Sequence, residues 1–152
     1  YMQQGRIEDA EREKGEATGL QFEKAISENM AKKTIENKVK QDLAEREQKI
    51  SMFKQVLEID PVDQVANFGL GSVYHDLKRY EEAIPPLQTV VKEYKDYSAA
   101  YVLLGKTMEK LSLRDEAIKT YREGIAVASK KGDLMPLKEM QQKLNQLLHS
   151  NS

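Results

Sequence analysis

Residues 64–97 read QVANFGLGSVYHDLKRYEEAIPPLQTVVKEYKDY, and residues 98–131 read SAAYVLLGKTMEKLSLRDEAIKTYREGIAVASKK. Laid over each other at an offset of 34 residues, they agree at telling places. Ala66 meets Ala100, Leu70-Gly71 meets Leu104-Gly105, Leu77 meets Leu111, and Glu82-Ala83-Ile84 meets Glu116-Ala117-Ile118. Glycine and alanine at fixed places let two helices approach closely. Large residues such as Leu70, Tyr74, Leu104 and Tyr121 then fill the space around the crossing.

Working outward, the chain reads as helices joined by short turns. The spacing predicts helices over 64–77, 80–94, 97–111, 114–130 and 134–148. Asp63 and Asp96 are placed to cap two of them, and Gly132-Asp133 joins a helix stop to a new N-cap. Connections of a few residues force neighbouring helices to run antiparallel. Pro85 and Pro86 fall inside a helix and predict a bend there. No convincing strand pattern occurs from Phe22 onward.

The 34-residue helix–turn–helix period resembles the tetratricopeptide repeat family, as a small bacterial-type member or a piece of a longer one. The family's Leu-Gly, first-helix tyrosine and second-helix alanine are Leu70-Gly71, Tyr74 and Ala83. In the next block they are Leu104-Gly105, Met108 and Ala117, with Tyr101 at the tryptophan position and Tyr121 at the second-helix aromatic. The chain departs from the pattern at Asn67 and Leu87, where aromatics are usual, and at Lys78 and Ser112, where the turn usually has glycine. One period upstream, Phe53, Val56 and Pro61 fit a second helix. The first helix before it, 30–43, has Glu36-Asn37 in place of Leu-Gly. Tyr1, Gly5, Ile7 and Ala10 carry a further, out-of-register echo.

The resemblance implies an all-α fold: antiparallel hairpins stacked as a short α-solenoid. Residues 1–48 form a charged N-terminal segment, either a degenerate repeat or an oligomerisation helix. Residues 49–148 form the repeat domain, with a half repeat at 50–61, repeats at 64–97 and 98–131, and a capping helix at 134–148. Leu137, Met140, Leu144, Leu147 and Leu148 make that cap's packing face, with Lys138, Glu139, Gln142 and Lys143 opposite. Residues 22–60 contain no proline or glycine and predict one long helix, or two nearly collinear ones. Their apolar residues Phe22, Ile26, Met30, Ile35, Val39 and Leu43 are read as one narrow stripe. A break near Ser51, folding 22–48 back on the array, is the alternative.

Composition narrows the function. The 152 residues carry 24 Lys plus Arg and 25 Asp plus Glu, a net charge of −1 that disfavours a dedicated nucleic-acid binder. Cysteine is absent, which removes disulfides, thiolate zinc sites and thiol catalysis, and suits a cytoplasmic setting. No apolar run is long enough to span a bilayer. The chain opens on Tyr1, which reads as the start of a fragment. No phosphate loop, nucleophile elbow or metal-ligand spacing occurs, so neither catalysis nor a cofactor is expected. His75 reads as a satisfied or solvent-facing histidine, and His149 and Ser150 belong to a polar tail.

The resemblance places a partner-binding groove along the first helices of the repeats: Val65, Phe68, Ser72 and His75, then Ala99, Val102, Leu103 and Lys106, with Glu109 beyond. Chaperone-binding relatives hold a C-terminal carboxylate with Lys and Asn at the positions of Phe68 and Ser72, so that clamp is not expected here. Two readings stay open: an adaptor taking a protein or peptide in this groove, and a homodimer formed through the N-terminal helix by coiled coil or exchange. The alternative to an open groove is that the chain's own 22–48 helix covers Phe68, Val102 and Leu103.

Overall fold

The computed structural model describes the backbone of residues 2–150 and the side chains of residues 19–150. Six helices follow in order: α1 (Met2–Ile59), α2 (Gln64–Asp76), α3 (Tyr80–Glu93), α4 (Ser98–Lys110), α5 (Arg114–Lys131) and α6 (Leu134–His149). There is no strand among the described residues. The last five helices fall within one residue of their expected limits at each end. The Tyr1–Ala10 echo concerns side chains outside the described residues.

The chain divides into two compact units between Glu45 and Arg46. In the first, α1 is one unbroken helix, and residues 19–45 are exposed throughout. The expected single stripe splits. Phe22, Ile26 and Met30 recur every four residues, but the step of five to Ile35 turns the helix by about 140° at 3.6 residues per turn. Ile35, Val39 and Leu43 therefore lie on another side of the helix.

In the second unit, consecutive helices pack as hairpins, α2 with α3 and α4 with α5, while α3 packs on α4 and α5 on α6. The core holds Leu70, Tyr74, Leu87, Tyr101, Leu104, Met108, Tyr121 and Met140, joined at the N-terminal end by Ile50 of α1. No break occurs at Ser51, because α1 continues to Ile59.

Three local devices set these helices. The Asp63 carboxylate accepts from Ala66 N at 2.8 Å and caps α2. Asp96 does not cap α4: the N-cap is Tyr97, and Asp96 is passed over. Asp133 is the N-cap of α6 but makes no cap bond; its carboxylate accepts from Ser98 Oγ at 2.8 Å instead. Helix α3 runs on through Pro85 and Pro86. The hairpin turns pass through Lys78 and Ser112 at φ 61° and 59°, the left-handed region where the family's glycine would be relaxed.

Candidate functional site: the concave slot of the repeat stack

Close crossings decide where the slot's walls stand. A Cβ added to Gly71 would overlap the Leu87 side chain, and one added to Gly105 would overlap the Tyr121 ring. Gly124 meets Met140 and Tyr101 in the same way, and Gly69 meets the Phe53 ring. Gly69 and Gly124 went unread in the sequence, because only two of these four glycines sit in the repeated Leu-Gly pair. Tight seating of α3 and α5 behind them leaves α2, α4 and α6 side by side as the concave surface, with α2 touching α4 and α4 touching α6.

The inter-repeat register is held by polar groups. Asn67, in the aromatic position, is buried, and its Nδ2 donates to the carbonyls of Pro61 and Asp63 at 3.0 Å each. Tyr101, one period later, donates from its hydroxyl to the Lys95 carbonyl at 2.8 Å. The two side chains differ yet do one job: each ties the start of its helix to a carbonyl six residues upstream.

The slot is a concavity of about 580 Å³ lined by α2 (Phe68, Ser72), α4 (Ala99, Val102, Leu103, Lys106) and α6. Six of the eight expected groove residues are therefore brought together. Val65 is not among them; it is 73% exposed near the start of α2. His75 is not either. Its Nδ1 lies 2.9 Å from Thr107 Oγ1, and its ring meets Tyr80 edge-on at 5.2 Å. The Thr107 hydroxyl donates to the Leu103 carbonyl at 2.7 Å, so its oxygen accepts the His75 Nδ1 hydrogen. Burial holds the His75 pKa below its ordinary value; Asp76 opposes this, and Lys106 and Lys110 reinforce it. Glu109 is also turned elsewhere, accepting a short hydrogen bond from the buried Tyr121 hydroxyl.

Sequence reasoning missed the third wall. Met135, Pro136, Lys138, Glu139 and Gln142 of α6 line the slot. The sequence pattern places Lys138, Glu139 and Gln142 opposite the packing face, and the structure turns them into the slot. The cause lies in the packing: α6 rests on both α5 and α4, so the sector beside its Met140 seam turns over the concave side. Glu139 there forms an ion pair with Lys106 across the slot wall. Both side chains are partly exposed, so the pair adds little stability and sets charge position instead. A cation at Lys106 was legible in the sequence; its partner was not, because the contact is made between repeats.

The slot therefore has an apolar floor (Phe68, Ala99, Val102, Leu103), an exposed methionine rim and one charged pair at its edge. Among the described residues no three His, Asp or Glu side chains gather as a metal site. No helix is long and apolar enough to cross a membrane among those residues.

The family description that matches the sequence is tetratricopeptide repeat, over residues 65–97. A tetratricopeptide-repeat-containing protein of Pseudomonas aeruginosa is 37% identical over 73 residues, 48% of this chain and 70% of that protein. The chain belongs to the tetratricopeptide repeat family. A protein of Bordetella parapertussis solved in solution has a similar structure, at 26% identity and a TM-score of 0.59, covering 67% of this chain and 89% of that one. The crystal structure of a tetratricopeptide repeat domain protein from Salinibacter ruber is similar at 29% identity and a TM-score of 0.54, covering 57% of this chain and 98% of that one. Membership of this family makes the chain a protein-interaction scaffold in general terms, built from stacked helical repeats.

Proposed function

We propose that this protein is a non-catalytic adaptor whose concave slot takes an apolar segment of a partner protein, as a helix or an extended peptide. The observation that carries the reading is the slot itself: an apolar floor between three helices that glycine crossings seat closely on their neighbours. Apolar grooves on helical scaffolds receive amphipathic helices or extended peptides through a few anchoring side chains. Phe68, Ala99 and Leu103 supply the floor for such anchors. The Lys106–Glu139 pair offers one charge of each sign at the edge.

The test must spare the core. Val102 is only 7% exposed and belongs to the core cluster, so a glutamate there would unfold the stack. Ala99→Glu with Met135→Glu charges the slot from partly and fully exposed positions. Display selection with apolar peptides should enrich ligands on the wild type, and the double variant should lose them while keeping its helicity. Retained binding moves the site off the slot, and no enrichment removes the reading.

A second reading, self-association through α1, is favoured by the exposed Phe22, Ile26, Met30, Ile35, Val39 and Leu43. Light scattering on the full chain and on a version starting at Lys49 checks it. A dimer that becomes monomeric on truncation supports it, and a full chain that stays monomeric at high concentration removes it.

A further inference from the structure

We infer that the end of α1 is a second binding surface, separate from the slot, and that its partner is an amphipathic α-helix lying antiparallel to residues 49–59 with a carboxylate facing Lys49. The argument rests on the repeat register. Steps of 34 residues carry Lys49 onto Ala83 and Ala117, Met52 onto Pro86 and Thr120, and Val56 onto Val90 and Gly124. In α3 and α5 every one of these positions is buried; Ala83, Val90 and Ala117 are 0% exposed. In α1, Met52 is 52% and Val56 37% exposed, and Lys49 is exposed as well.

The hairpin partner accounts for much of the difference. Helices α3 and α5 each pack on one, α2 and α4. Thr120 donates to the Met108 sulfur of α4, and Gly124 lies against Tyr101 of α4 together with Met140 of α6. The last turns of α1 are the second half of a hairpin whose first half is missing among the described residues. The side of α1 that meets the following repeat is filled: Ile50 is 4% exposed, and the Phe53 ring lies on Gly69. The hairpin side is bare. Ile59, 89% exposed, follows Val56 by three residues, where α3 has the exposed Glu93 and α5 the partly buried Val127. Met52, Val56 and Ile59 thus form an i, i+4, i+7 stripe, the pattern of a helix that packs on a helix.

The intact hairpins also specify the occupant. Both seat an antiparallel helix of 13 residues against the second helix of the pair. Lys49 then sets the chemistry. It replaces an alanine that sits fully buried in both hairpins, so a partner must leave room for it and offset its charge. A helix with an apolar stripe and a flanking carboxylate does both.

The chain has no cysteine, so Gln48→Cys gives a single dye position on the rim of this surface. The labelled full chain is titrated with two stapled 14-residue model helices, each with one leucine stripe, flanked in one by Glu and in the other by Lys. The Glu-flanked helix should saturate the signal and bind about tenfold tighter, the size of one favourable pair set against one repulsive pair. Lys49→Glu should reverse that preference. Val56→Asp, at an exposed position, should abolish binding with helicity unchanged, while the slot variant Ala99→Glu with Met135→Glu should leave it intact. Failure of the Glu-flanked helix to saturate, or an unchanged preference in Lys49→Glu, overturns the proposal. Loss of binding in the slot variant alone overturns it too. A dye signal that follows protein concentration alone, with doubled mass, assigns the surface to a second copy and overturns the partner helix.

Discussion

The Tyr121 ring lies so close to the bare Cα of Gly105 that even a methyl group there would overlap it. The buried Tyr121 hydroxyl also donates to Glu109, so the ring is held at both ends of its reach. Gly105→Ala should therefore lower stability by about 1–3 kcal/mol, because the ring has no room to retreat. Gly71→Ala, against the Leu87 side chain, should fall in the same range. Chemical denaturation of the two variants checks this, and an unchanged midpoint would remove the close crossing as the reason for glycine.

Lys78 and Ser112 stand at positive φ without being glycine. Lys78→Gly and Ser112→Gly should each raise stability, by roughly 1 kcal/mol, by relieving left-handed strain of that order. The gain is read as a higher thermal midpoint with the helical signal unchanged. A fall in midpoint would mean that the lost side chain outweighs the strain.

Asn67 fills an aromatic position with a buried amide. Asn67→Leu should cost about 1–3 kcal/mol, because the Pro61 carbonyl loses its donor inside the turn. A neutral result would show that water replaces the amide. Asn67→Tyr is the sharper comparison, since Tyr101 meets the same need one period later.

His75 gives the stack a pH dependence. Its folded pKa is held below the ordinary value, chiefly by burial. The neutral ring is therefore favoured in the folded state, and the unfolded chain takes up the proton first. The stabilisation is fully present above pH ~6.5 and is lost as pH falls from there toward the folded pKa. His75→Gln should flatten the denaturation midpoint between pH 7 and pH 5 relative to wild type. Parallel profiles in the two proteins would count against a role for this ring.

Much of the repeat domain was legible because its signal is written twice. Gly71 and Gly105, Ala83 and Ala117, and Leu77 and Leu111 recur at one offset; the glycines mark the close crossings, and the leucines cap the ends of α2 and α4. What the period could not show lies where the pattern ends. Helix α6 has no repeated copy, so the turn of Lys138, Glu139 and Gln142 into the slot followed from packing on two helices at once. His75 matched a groove position by register, yet the Thr107 hydroxyl, buried one repeat away, draws it aside. On α1, the step of five between Met30 and Ile35 keeps a near-helical spacing in sequence, but on a rigid helix it moves half of the apolar residues to another side.

The third wall of the slot is fastened along its whole length. At its start, Asp133 accepts from Ser98 and pairs with Lys131. In its middle, Glu139 meets Lys106. At its end, an Arg114 nitrogen donates at 3.0 Å to the Leu147 carbonyl in the last turn of α6, which Ser150 Oγ also reaches. A wall held at three points has little freedom left to surrender when a ligand arrives, so the entropy of shaping the slot is settled during folding rather than at binding. Arg114 touches nothing in the slot, yet freeing that end would make the slot adaptable: looser for any one ligand and open to more of them.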